Sequence, residues 1–174
     1  ARSSAAACPW ASMVAGLINA CGAWAGTTVP GNAENPKGYF EHALIRERVT
    51  KQILLQLGHD PLGVKSIPDF LPGLETEGLA QALTEIIASD GYSDDRPWLY
   101  KEAKLTLIWP AFVRAFPLAQ WLIVSRDRED VIDSCLRTSF MAQHSEDREF
   151  WKKFVDDYLD RLDLLKDTYI TLAD

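Results

Sequence analysis

Positive charge is in short supply: 18 Lys and Arg stand against 25 Asp and Glu, for a formal net charge of -7. That is the wrong sign for a general affinity for nucleic acid or an anionic membrane surface, although a local basic pocket can still hold an anion. Cysteine is scarce as well. Cys8, Cys21 and Cys135 lie far apart, with no CxxC and no Cys/His grouping. The sequence therefore carries neither a disulfide framework nor a metal-site pattern, and a reducing, cytoplasmic setting is expected. No apolar run approaches the ~20 residues of a membrane span, and residues 1 to 8 lack the apolar segment of a signal peptide. The fingerprint G-x-x-x-x-G-K-[ST] is missing too, which sets aside a P-loop kinase.

What the sequence does have is apolar substance in short, punctuated runs. With 47% hydrophobic residues over 174 positions, one globular domain over 1–174 with a substantial core is expected. Trp98-Leu99-Tyr100, ending at Lys101-Glu102, and Trp121-Leu122-Ile123-Val124, ending at Ser125-Arg126-Asp127, read as buried parallel strands. Tyr169-Ile170-Thr171-Leu172 reads as a last strand. Helical spacing predicts helices over 42–57, 75–89 and 105–116, the last containing Pro110. A further helix follows Arg126, with Val131, Ile132, Cys135 and Leu136 on one face. Ser145 is a candidate N-cap for a strong amphipathic stripe of Phe150, Trp151, Phe154, Val155, Tyr158, Leu159 and Leu162. Strands alternating with helices predict an α/β domain of three layers, with a parallel sheet flanked by helices and ligands at the carboxyl ends of the strands.

Strand ends direct attention to particular side chains. A guanidinium at Arg126 would be well placed to grip a phosphate, with Ser134 adding a hydroxyl from the next helix; equally, Arg126 can pair with Asp127 or Asp130. Lys101, at the end of a buried strand, has little structural purpose and is a candidate functional cation. Lys37 is a loop lysine within possible reach of the same anion. Glu41 and Glu102 are candidate general bases if burial raises a carboxyl toward neutrality, although Glu41 also suits the first turn of the following helix. His59 and His144 are isolated. Trp24, Trp98 and Trp121 read as core, and Trp109 as either core or a stacking platform.

Four segments, in order, resemble the sulfotransferase family in its bacterial and phage form. FPLAQWLIVSRDREDVIDSCLR (116–137) is similar to the family's 3'-phosphate-binding segment. NPKGYFEH (35–42) is similar to its N-x-x-G-Y-[FW]-E segment, and WLYKEAKLTLIWPAF (98–112) to its strand with Lys followed by a helix. SMVAGLINACGAWAG (12–26) resembles the helix behind the phosphosulfate loop. The resemblance implies a P-loop-type fold and transfer of a sulfuryl group from PAPS to a hydroxyl or amine of a small-molecule or glycan acceptor. It would give Arg126 and Ser134 to the 3'-phosphate of PAPS or its product PAP. Trp10, Ala11 and Ser12 would stand beside the 5' side, and Lys101 would face the transferring group. Two positions depart from the pattern. Cys8-Pro9-Trp10-Ala11 stand where the family carries P-[RK]-S-G-T-S, and Ala103 stands where many members carry a His base, which leaves Glu102 or Glu41. A relative of the fold that binds a nucleotide weakly, or none, and acts through protein contacts is the alternative.

Overall fold

The computed structural model describes residues 9–173, with side chains over 10–168. Along these residues run α1 (Pro9–Ala20), α2 (Ala43–Ile45), a π-helical turn (Arg46–Thr50), α3 (Lys51–Gln56) and α4 (Leu79–Ser89), followed by α5 (Leu105–Ala115), α6 (Arg128–Arg137), α7 (Ser139–Ala142) and α8 (Arg148–Ala173). The segment ARSSAAAC (1–8), where the family resemblance would place a first strand ahead of the loop, lies outside the described residues.

The expected parallel sheet is not there. Among the described residues there is no β-strand, only two isolated bridges, Trp24 with Trp98 and Thr28 with His42. The physical reason is a want of neighbours. Trp98 meets a single partner, through Trp24 N–H to the Pro97 carbonyl (2.8 Å) and Leu99 N–H to the Trp24 carbonyl (2.9 Å). Residues 121–124 make no ladder with any described residue, and a strand buried on both faces would not leave Leu122 64% exposed. The third expected strand is also overturned. Residues 169–172 continue α8 to Ala173, because extending an existing helix adds one hydrogen bond per residue fixed, whereas a new strand needs a partner.

The helices follow their sequence signals closely. Asp127 caps α6, its carboxylate accepting from Glu129 N–H (2.9 Å) and Asp130 N–H (3.3 Å), with acids in the first turn and Arg137 in the last. Asp147 rather than Ser145 holds the start of α8, accepting from Glu149 N–H at 3.0 Å. In α5, Pro110 removes a backbone donor and crowds the preceding turn, and the helix kinks at Ile108 (φ −129°). Two apolar clusters result. One joins α2, the π turn, α3, α4 and α5 around Ile45, Leu54, Leu83 and Ile108. The other joins α6, α7 and α8 around Ile132, Met141, Trp151 and Val155. Tyr158 packs against both.

Candidate functional site

The site begins with the loop that carries Tyr39, Phe40 and Glu41. Asn35 folds it, donating from its side chain to the Gly38 carbonyl at 2.8 Å, and Val29 N–H donates to the Glu41 carbonyl at 2.8 Å. Gly38 (φ 89°) lets the chain turn. Phe40 takes φ 53°, a strained value for a bulky side chain, and its ring lies against α1, where a Cβ on Gly16 would sit 2.9 Å from it. Glu41 is thereby carried under α1 and fully buried. His42 then caps α2, its Nδ1 accepting from Ile45 N–H at 3.3 Å, while Nε2 faces Asp90 at 3.2 Å.

Lys101 arrives from the far side of the chain and joins these parts. Its ammonium donates to Glu41 Oε1 (3.1 Å), the Tyr39 carbonyl (3.2 Å) and Ser12 Oγ (3.4 Å). Ser12 Oγ itself donates to the Tyr39 carbonyl at 3.3 Å. Three ammonium hydrogens thus have three acceptors, Ser12 being the most distant. Arg46, at the start of the π turn, stands 3.8 Å from the other Glu41 oxygen. The turn closes with Lys51 N–H on the Arg46 carbonyl, and this wider winding brings buried Arg46 and Thr50 onto the face that meets the site.

Behind this pair lies a second one. Lys104 and Glu102, both buried, form an ion pair, and the Tyr100 hydroxyl donates to the other Glu102 oxygen. Tyr100 also shares a 2.7 Å hydrogen bond with the Thr50 hydroxyl. Arg46 stands as near to Glu47 Oε1 (3.7 Å) as to Glu41, so the three cations Arg46, Lys101 and Lys104 are met by three carboxylates, Glu41, Glu47 and Glu102. Burial raises the Glu41 carboxyl above the ordinary carboxylate value; Lys101 pulls it back down, and Glu102 pushes it up. The Tyr100 hydroxyl is pushed well above its usual value by burial and by Glu102. With its three hydrogens committed, Lys101 meets an anion only by giving up one of these contacts, and fully buried Glu41 exchanges a proton only where the loop opens.

Of the residues that the sequence singles out, Lys101, Glu41 and Ser12 are brought into contact, and Glu102 stands in the adjoining pair. Trp10 and Ala11 sit with Ser12 in the first turns of α1, which is already helical from Pro9, and Trp10 is 52% exposed. Arg126 faces Asp130 at 3.4 Å rather than Asp127, which is committed to capping α6. Ser134 lies mid-α6, and its carbonyl accepts from Thr138 N–H (2.9 Å) and Oγ1 (2.7 Å). Lys37 is exposed in its loop. His59 bonds Ser66 at 2.9 Å, His144 packs edge-on to Phe140, and buried Trp109 lies 5.5 Å from the Phe70 ring. Arg46, Lys104, Tyr100 and Thr50 were not anticipated. The pattern YKEAK, with two lysines three apart around a Glu, was the available signal for Lys104; nothing in a helical pattern marks Arg46. No three His, Cys, Asp or Glu side chains among the described residues could hold a metal ion together.

The chain matches no protein-family model, no curated protein and no solved structure. Among the described residues, no helix is long and apolar enough to cross a membrane.

Proposed function

We propose that the chain is a sulfotransferase that uses PAPS, with Lys101 as the cation at the transferring group and Glu41 as the base. The observation that carries this reading is a convergence. Ser12, the Tyr39–Glu41 loop and Lys101 come from three separate segments that resemble the family, and they meet around one ammonium group. In the reaction the acceptor hydroxyl or amine forms a bond to sulfur and passes its proton to Glu41. The bond from sulfur to the bridging phosphate oxygen breaks, and PAP leaves with the electron pair. Lys101 exchanges its long contact with Ser12 for the oxygen on which charge develops. Arg126 and Ser134 take the 3'-phosphate, with the Asp130 contact of Arg126 given up for it.

The start of α1 at Pro9 favours a second reading. Trp10, Ala11 and Ser12 are wound into the helix, so their backbone N–H groups do not curl as a phosphate loop. On that reading the chain is a relative that binds the nucleotide without transfer, or acts through protein contacts.

Calorimetric titration with PAP, together with the rate of PAP release from PAPS, separates the two. Binding is expected, and Arg126→Ala should weaken it by at least ~1.5 kcal/mol, as for a charged hydrogen bond. Glu41→Gln is expected to slow PAP release on the order of 10²-fold while leaving PAP binding in place. Binding with no release in the wild type selects the second reading, and no heat with PAP overturns both nucleotide readings.

A further inference from the structure

The connection between α3 and α4 contains a stretch whose two edges differ. Residues 66–71 have no helix, turn or bend. One edge is fastened. Asp60 N–H donates to the Ser66 carbonyl at 3.2 Å, and Arg161 donates to that of Pro68. Just beyond, Arg114 holds the carbonyl of Pro72. In extended backbone the N–H and C=O of one residue leave on the same side, and those of the next residue on the opposite side. Ser66 and Pro68 therefore turn their polar groups toward the body of the chain, and Ile67, Asp69 and Leu71 turn theirs away. Pro68 sits where its missing N–H takes nothing from the outward edge.

That outward edge is unpaired. Among the described residues, the amides of Ile67, Asp69 and Leu71 meet no acceptor, and the carbonyls of Ile67 and Asp69 no donor. The Leu71 carbonyl accepts from Leu74 N–H at 3.0 Å, which ends the run. Asp69 is exposed and forms no ion pair with a described residue, and Leu71 beside it is 39% exposed. On the opposite face Pro68 is buried and Phe70 lies against Trp109, so the stretch is held firmly while its free edge looks outward.

We propose that this edge takes an extended segment of a partner polypeptide as an added antiparallel strand, with a Lys or Arg opposite Asp69 and an apolar residue opposite Leu71. The partner's central residue exchanges both of its backbone hydrogen bonds with Asp69. Two residues earlier in the partner, the apolar side chain lies on Leu71. A second copy of this chain fits poorly. The register that pairs all three residues puts Asp69 opposite Asp69, and like charges directly opposite repel. The net charge of -7 likewise favours a basic segment. None of these residues enters the charged cluster, so the edge serves its partner whether or not the chain transfers sulfate.

The test is titration with the peptide acetyl-TVTKTVT-amide, followed by calorimetry and by the amide resonances of the protein. Binding is expected with Kd below about 1 mM. The amide signals of Ile67, Asp69 and Leu71 should move, while that of Phe70, on the inner edge, stays in place. Replacing the central lysine of the peptide by glutamate should weaken binding by about fivefold, and Asp69→Lys, a change at an exposed side chain, should reverse that preference. N-methylation of the central lysine, whose N–H meets the Asp69 carbonyl, should abolish binding. N-methylation of the threonine after it, whose N–H points away, should change affinity by less than about twofold. Absence of binding, equal loss from the two methylations, or an unchanged preference in Asp69→Lys would each overturn the assignment. Movement of the same amide signals as the protein is concentrated without peptide would give the edge to a second copy, and would overturn it too.

Discussion

Glu41 illustrates how neighbours change an ordinary side chain, since burial raises its carboxyl above the usual value. Phe40 beside it is held at a positive φ that costs on the order of 1–3 kcal/mol, and the ring that imposes this position fits because residue 16 is glycine. Gly26 is a sharper case of the same dependence. It combines φ 64° with atoms of Trp24, Asp90 and His42 at 2.5 to 2.7 Å from where a Cβ would stand. Gly26→Ala is therefore expected to destabilise the chain by at least about 1–2 kcal/mol, read from urea denaturation. His42, in contact with that glycine, is neutral: burial lowers its pKa from the ordinary 6.5, and Asp90 only partly opposes this. Unfolded chains consequently bind more protons as the pH falls through that range. The stability that neutral His42 contributes is present in full above about pH 6.5 and is lost below it. The urea midpoint should drop between about pH 7 and about pH 5, and less steeply in His42→Gln; His144, lowered by its own burial, accounts for a remaining slope. An equal slope in the variant would assign the whole effect elsewhere.

At the scale of elements, legibility followed the number of turns that a pattern spans. The stripe from Phe150 to Leu162 repeats over several turns and marks α8 plainly, and LTLIWPAFVRAF marks α5 to within a residue. Runs of three or four apolar residues carry no such redundancy. Trp98-Leu99-Tyr100 and Trp121 to Val124 have strand composition, but whether they form a sheet is decided by neighbours far away in the chain, and so was not written in the segments themselves. Lys101 was singled out as the end of a buried strand, a premise that the structure overturns, and in place of little structural purpose it has an ion pair with Glu41 at 3.1 Å. The site was hidden where burial is conferred by other elements, as at Arg46, which looks like an ordinary helix-surface arginine. Packing of α6 on α8 depends on Trp151, which is fully buried and donates to the Ser145 carbonyl at 2.9 Å. Trp151→Ala should cost about 3–5 kcal/mol, measured by urea unfolding; a loss under about 1 kcal/mol would mean that the cluster repacks around the cavity.

For the molecule as a whole, Tyr158 is the link between the two apolar clusters, and its hydroxyl donates to the Gly63 carbonyl at 2.9 Å. In Tyr158→Ala, unfolding followed by near-ultraviolet and far-ultraviolet circular dichroism should separate into two transitions, where the wild type shows one; coincident curves in the variant would show that the clusters are coupled elsewhere. Gly63 opens a long connection that is strapped to the helices in an uncommon way. Arg161 donates to the Pro68 carbonyl, and Arg114 to those of Pro72 and Leu74, so the straps grasp oxygens. The amides of Ile67, Asp69, Phe70, Leu71 and Gly73 are left without an acceptor among the described residues. Deuterium should therefore enter these five positions almost as fast as in an unstructured peptide, although the segment is held in place. Exchange labelling will report this stretch as open when its carbonyl side is fastened down, and the two properties should be measured separately.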